Sequence, residues 1–407
     1  MNRTRWRAPV ALRDRNLRVF ASAQLVYQTG GQIAPIALAF AVLALSDSAT
    51  DLGIALAART IPALLFVLLG GVLADRLPRK QLLVASDWGN FVAQSALALF
   101  LLAGHATLIV IVFTQALAGL CSAAYHPASR GIVPLIATRS QLQHANALVG
   151  VVGSATSILG PLVGGLLVAS VGPGWAIGAD AITYAISAIL ISQIKVERGP
   201  AVRARVGFLP EFLEGWRTVQ RTRWLRLVIA GDAVFQLVVI APLFVLGPRI
   251  AADTYGGAAS WGAMIASYAV GSLVGATVAL YWKPRRPLLV GAAATLPLPI
   301  AFSLLGLGSD FPLVAVALLA SGIGVAVSDI VWHTAVQGAV PEQRLARVVS
   351  IDWFGSTLLR PVGYLAAGLL STILGTPPAF FIAVLLQIGM FAILLSSQEI
   401  RSRQSNE

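Results

Sequence analysis

The chain has 407 residues, 57% of them hydrophobic and 11% charged, with a mean hydropathy of +0.80. A soluble domain carries about 25% charged residues and stops extending a single core near about 300 residues, so a soluble fold is excluded. One cysteine, Cys121, excludes a disulfide framework and a thiol metal cluster, and the net charge of +12 leaves nucleic acid or a membrane surface as the source of the basic bias.

Six arginines lie within the first 18 residues, ahead of an apolar run that is too long for a signal-peptide core, so the run is read as a retained helix. Crossing the hydrocarbon core takes about 20 mostly apolar residues. Twelve stretches qualify, at 17–45, 51–74, 81–104, 107–129, 145–170, 174–194, 224–248, 258–282, 287–307, 311–333, 347–374 and 377–397. They are spans 1 to 12 below.

With both termini in the cytoplasm, 26 of the 29 basic residues fall on the inner side, and only Arg59, Arg249 and Arg360 do not. This bias fixes the orientation, and its dispersal over seven segments removes the nucleic-acid reading. The longest inner segment, 195–223, separates residues 1–194 from 224–407. Leu209, Phe212, Leu213, Trp216 and Val219 recur there at helical spacing, as in an amphipathic helix on the inner leaflet.

The halves echo each other. Pro78-Arg79-Lys80-Gln81-Leu82-Leu83-Val84 after span 2 matches Pro284-Arg285-Arg286-Pro287-Leu288-Leu289-Val290 after span 8. The expected fold is therefore all-α integral membrane, two pseudo-symmetric six-helix bundles with a central cavity that opens to either side in turn.

At the turn from span 2 to span 3 stands Gly70-Gly71-Val72-Leu73-Ala74-Asp75-Arg76-Leu77-Pro78-Arg79-Lys80. It resembles the loop signature of the major facilitator superfamily, G-x-x-x-D-[RK]-x-G-[RK]-[RK], with Pro78 where the family usually has glycine. The resemblance implies that Gly71, Asp75, Arg76, Arg79 and Lys80 latch the two halves in one conformation. In span 5, Gly160, Pro161, Gly164 and Gly165 resemble the G-P-x-x-G-G motif of proton-coupled exporters in that superfamily, which implies efflux. Asn16-Leu17-Arg18, Ala85-Ser86-Asp87, His126-Pro127-Ala128 closing span 4, Ala145-Asn146-Ala147-Leu148 and Asp180-Ala181 resemble the branch that holds a bacterial siderophore exporter and macrolide-type drug efflux proteins. Many proton antiporters of the superfamily carry an arginine in helix 4, four residues before a glycine; here Gln115 precedes Gly119, so a relay through that arginine is ruled out.

Ionisable groups inside a bilayer are costly and mark candidate sites. Asp87, Asp180 and Asp352 are read as structural, with Arg59 and Arg360 as candidate partners of Asp87 and Asp352, the alternative being that the long side chains snorkel, for which Arg360 sits deep. In the family, spans 1, 4, 7 and 10 line the cavity. The polar stripe Gln24, Gln28 and Gln32 with Tyr27, together with Gln115 and Gln236, is accordingly expected to line it. Asp232, and Asp329 with His333 four residues on, are the candidates for proton coupling, the alternative for the span 10 pair being closure of the cytoplasmic gate.

No metal-ligand spacing links His105, His126, His144 and His333, no phosphate loop ends in Lys-Ser or Lys-Thr, and no nucleophile motif occurs. The chain is expected to be no enzyme and to need no cofactor or metal. The expected function is export of a small amphipathic organic molecule, a drug, siderophore or secondary metabolite, in exchange for protons. The protein would act as a monomer in the bacterial inner membrane. Nutrient uptake by the same fold and a non-transporting receptor or scaffold are the alternatives.

Overall fold

The computed structural model describes residues 14–138, 141–196, 216–217, 219–220, 222–282, 284–339, 348, 351–352 and 354–396, apart from the side chains of 67–76 and 126. Among these residues there is no strand. The spans run Arg15–Ser46, Ala49–Arg76, Arg79–Leu102, Leu108–Ile136, Leu142–Val171, Pro173–Ser192, Arg223–Thr254, Ala258–Tyr281, Pro287–Gly306, Phe311–Ala339, Phe354–Leu374 and Thr376–Ser396. Eleven are long and apolar enough to cross a membrane. Span 3 has the length, and its hydropathy is lowered by Asp87, Asn90 and Gln94, all buried on its inward face.

Local chemistry sets the ends. Asp14 caps span 1, its carboxylate accepting from the Asn16 and Leu17 amides at 2.8 and 3.2 Å, and Thr107 caps span 4 through the Val110 amide at 3.3 Å. All described positive-φ residues, Asp47, Gly104, Gly172, Gly256, Gly257, Gly308 and Gly375, lie in turns at one end of the bundle, where helices reverse within a few residues. We call this the glycine-turn end. The opposite, basic end carries Arg79, Lys80, Lys195, Arg285 and Arg286.

Spans 4, 7 and 10 run further than the sequence suggests, span 7 to Thr254 where closure at 248 is expected. Span 4 was expected to close at 129; it pauses at Ala123 and Ala124 and restarts as Tyr125–Ile136, so Pro127 sits in a first turn, where its missing N–H costs nothing. His126-Pro127-Ala128 thus opens a second leg instead of ending the span. Span 10 continues past 333 to Ala339. In span 7, residues Gln236–Ile240 form a π-turn ahead of Pro242. Proline cannot donate to the carbonyl four residues back, and the Gln387 amide of span 12 supplies that carbonyl, Val238 O, with a donor at 3.1 Å.

The buried apolar residues divide unequally between the two ends. At the glycine-turn end all twelve spans feed one core, including Val42, Leu52, Leu97, Ile111, Val168, Ile177, Val245, Trp261, Phe302, Val314, Tyr364 and Phe380. At the basic end the described residues form two separate cores. Leu17, Phe20, Leu83, Ile132, Ala145 and Ile191 form one within spans 1–6, while Leu225, Leu288, Trp332, Val336 and Val348 form another on the side of spans 7–12. Val219 of the expected amphipathic segment is buried in the latter; Leu209, Phe212 and Leu213 lie outside the described residues. Leu65, Ile109, Leu280, Ile373 and Leu385 are more than 60% exposed, as suits side chains facing lipid.

Candidate transport site

Spans 1–6 enclose a polar interior. Gln24 of span 1 is 3% exposed and donates to Ser129 Oγ at 2.7 Å and to the Tyr125 hydroxyl at 3.4 Å. Gln28 donates to Gln24 Oε1 at 3.1 Å and accepts from Thr156 of span 5 at 3.2 Å. Tyr27 stacks on Tyr125 with ring centroids 3.8 Å apart and meets Tyr184 edge-on. The stripe expected to line an open cavity is therefore sealed at Gln24 and Tyr27, while Gln28 and Gln32 are half-buried and lean on span 5.

Gln115 is 1% exposed and belongs to a second network. Arg59 of span 2 donates to Gln115 Oε1 and to the Tyr184 hydroxyl, both at 3.3 Å. Gln115 donates to Gln94 Oε1 at 3.0 Å, and Gln94 donates to Asp180 Oδ2 at 2.7 Å. Two amides thus carry the attraction between a half-buried arginine and a buried carboxylate across spans 2, 4, 3 and 6. Arg59 was expected beside Asp87; its acidic partner is Asp180. The family's span 4 arginine is missing, yet a guanidinium stands against Gln115 all the same, delivered from span 2. Position 59 offered one signal, a lone basic residue inside an apolar run.

The loop signature acts locally. Arg79 donates to the Gly131 carbonyl near the end of span 4, and Lys80 donates to Ile194 O beyond span 6 at 2.8 Å. Cations at helix C-termini satisfy carbonyls that have no intrahelical donor. Both of these bonds lie within spans 1–6. Gly71, Asp75 and Arg76 lie in the last turns of span 2, and their side chains are outside the described set.

The span 5 motif faces two ways. Gly160 and Gly164 take Gln32 and Ile33 of span 1, while Gly165 and Pro161 meet span 8, where a methyl on Gly262 would stand 3.1 Å from Gly165 Cα. Spans 2 and 11 meet similarly: a methyl on Gly368 would stand 2.7 Å from Thr50 Cα, and the Thr50 and Thr372 hydroxyls are 2.8 Å apart. Arg249 of span 7 donates to the Asp47 carbonyl at 2.9 Å and to the Asp47 carboxylate, and pairs with Asp253 at 2.9 Å. The contacts of span 5 with span 8, of span 2 with span 11, and of Arg249 with Asp47 lie at the glycine-turn end and join spans 1–6 to spans 7–12.

In spans 7–12, a cleft of about 100 Å³ opens between spans 7, 9, 10 and 12, with Asp232, Asp329, Phe235, Trp332 and Phe391 among its walls. Asp232 and Asp329, 97 residues apart by number, thus share one space and feel each other electrostatically, as Asp232 and Asp352 do. Asp352 accepts from Trp332 Nε1 at 3.2 Å, and the exposed His333 attracts Asp329 and Asp352. Gln236, one turn beyond Asp232, accepts from Arg360 at 2.8 and 3.0 Å, so the expected Arg360–Asp352 pair is replaced by an arginine–amide fork. Among the described residues no group of His, Cys, Asp and Glu is close enough to hold a metal ion.

Twelve helical rods around a divided polar interior, sealed at one end by small residues, define a polytopic membrane transporter. The chain belongs to the Major Facilitator Superfamily, whose profile matches residues 20–360. It is 26% identical over 387 residues to the multidrug efflux pump Tap of Mycolicibacterium fortuitum, covering 92% of this chain and 94% of that one. It is 28% identical over 309 residues to the enterobactin exporter EntS of Escherichia coli O1:K1 / APEC, covering 73% of each. Among solved structures it resembles a bacterial homologue of the iron transporter ferroportin in an inward-facing state, with TM-score 0.75 and 18% identity over 94% of this chain and 99% of that one. It also resembles a bacterial homologue of the human lysosomal transporter Spinster, inward-facing and unoccupied, with TM-score 0.73 and 14% identity over 95% and 98%.

Proposed function

We propose that the chain is a secondary-active exporter that moves a small amphipathic organic molecule out of the cytoplasm in exchange for protons. The observation that carries the reading is the division of the core among the described residues, one at the glycine-turn end and two at the basic end. Such a molecule is closed on one side and parted on the other, which is one of the two states alternating access requires. By sequence, 26 of the 29 lysines and arginines fall in segments expected on the inner side, and the described Arg79, Lys80, Lys195, Arg285 and Arg286 lie at the basic end, so that end faces the cytoplasm with both termini, in a bacterial inner membrane. On this reading residues 1–194 and 224–407 are the rocking units, 195–223 is their linker, and one copy suffices.

Export as the direction is supported by the efflux and exporter relatives and by the span 5 glycines. Phe235, Trp332 and Phe391 give the substrate an apolar wall, and Asp232 and Asp329 give protons a place to exchange, with His333 beside them. A cleft of about 100 Å³ holds only part of a drug-sized molecule, so it acts as a subsite of the larger opening between the units.

Two measurements test this. Cells lacking the protein should accumulate more of some members of a panel of toxic amphiphiles than cells that carry it; lower accumulation would mean uptake. In reconstituted vesicles an imposed pH gradient should drive transport of those members. Asp232→Asn and Asp329→Asn should each abolish that drive, and full retention in both would refute the assignment.

A further inference from the structure

Asp87 sits on span 3, where it packs against spans 4 and 6. The side chain is 0% exposed, and neither carboxylate oxygen has a hydrogen-bond partner. The hydroxyl it faces, Ser187 on span 6, is also fully buried; it lies near enough to Asp87 and Tyr125 to favour a charge there, yet makes no hydrogen bond within 3.5 Å. Nature rarely leaves three such oxygens in one interior spot without a use, because an ionised carboxylate with no donor and no cation is among the costliest groups to bury.

The other titratable groups facing Asp87 are Tyr27 of span 1, Tyr125 of span 4 and Tyr184 of span 6. Among the described residues no cation compensates it. Arg59 is committed to Gln115, Tyr184 and Asp180, reached through Gln94, two turns along span 3 from Asp87. The neutral acid fits this place, and the charged form does not.

We propose that Asp87 is a proton-loading group whose occupancy selects the state closed at the glycine-turn end. Loss of the proton forces the site to admit water or a donor, so spans 3, 4 and 6 must part around it. A connected set of bonds leads outward. Tyr125 accepts from Gln24, Gln24 accepts from Gln28, and Gln28 accepts from Thr156 of span 5, the helix whose glycines close on span 8. A charge at Asp87 draws the Tyr125 and Ser187 hydroxyls toward it and loosens that set at its inner end. In transport terms, a proton taken up from outside holds the protein open to the cytoplasm, and its release there permits the return. The inference rests on the proton-exchange reading and adds a second proton site, in spans 1–6, to the cleft of spans 7–12.

The test needs no substrate. In a Cys121→Ser background, spin labels at Ser46→Cys and Ala252→Cys, both exposed at the glycine-turn end of spans 1 and 7, report its opening by pulsed distance measurement in lipid nanodiscs. The unsubstituted Asp87 protein should pass from a short to a long distance as pH rises, and Asp87→Asn should stay short at every pH. If Asp87→Asn does not fold, Ser187→Ala, which removes a hydroxyl that would help the charge, should raise the pH at which the distance lengthens. An Asp87→Asn protein that titrates like its parent, an unmoved Ser187→Ala midpoint, or a parent distance indifferent to pH would each overturn the assignment. Failure of the proton-exchange reading shows up elsewhere, as vesicle transport that ignores a pH gradient.

Discussion

Arg249 and Asp47, 202 residues apart in sequence, are bonded both through the Asp47 carboxylate and through its backbone carbonyl. The carbonyl is presented by the left-handed conformation of Asp47, φ 51°, at the turn between spans 1 and 2. Arg249 is also the one basic residue that sequence reasoning placed on the outer side of the membrane.

Arg249→Ala should therefore favour opening of the glycine-turn end. The Asp47 side chain is 77% exposed, so the pair is worth about 0.2–1 kcal/mol, up to about a fivefold shift in the ratio of states. Accessibility of a cysteine at Thr50 to a water-soluble maleimide should rise by that factor. Asp47→Asn, which leaves the carbonyl bond in place, should have a smaller effect.

Gly262→Val should act as a wedge. Even a methyl there meets Pro161 O and Gly165 Cα, and backbone atoms cannot swing aside as a side chain can. Overpacking costs about 1–3 kcal/mol, so the closed state should lose at least about fivefold in population, with transport reduced and expression retained. Gly389→Val, with nothing within 4 Å, is the control and should leave transport unchanged.

Removing Arg59 should strand Asp180. Breaking one side of a buried ion pair costs about 3–5 kcal/mol, whereas removing both sides is often neutral. Arg59→Gln should lower the thermal unfolding midpoint in detergent sharply, and Arg59→Gln with Asp180→Asn should recover most of it. A double variant no better than the single would contradict the amide-linked pairing.

Gln387→Leu should leave Val238 O buried and without its donor, at a cost of about 1–3 kcal/mol. Adding Pro242→Ala restores a backbone donor and should regain the stability while straightening the π-turn. Transport by that double variant then measures how far the bend itself matters.

The rods of this fold were legible in the sequence because hydrocarbon imposes a length, and a run of 20 apolar residues has few other uses. Gly165 and Pro161 could be read as a place of close approach, but nothing local named Gly262 as the partner. Arg59 and Asp180 lie 121 residues apart and meet only through Gln94 and Gln115, whose amides look the same in sequence whether they face water or one another. The Gln24 stripe misled for that reason: its period marks a polar face, and Ser129, Tyr125 and Thr156, from two other helices, close over it. Asp232 and Asp329 came out together because both were chosen as charges on helices expected to face inward.

Where spans 5 and 8, and spans 2 and 11, come closest, the seam between the two groups of spans sets glycine hydrogens against carbonyls and α-carbons. A joint without teeth needs no rotamer to turn before it slides apart, and it can meet again in the same register after every cycle. Swapping its glycines for longer side chains would trade that smooth bearing for a ratchet. Turnover would then wait on repacking, however tightly cargo or proton were held.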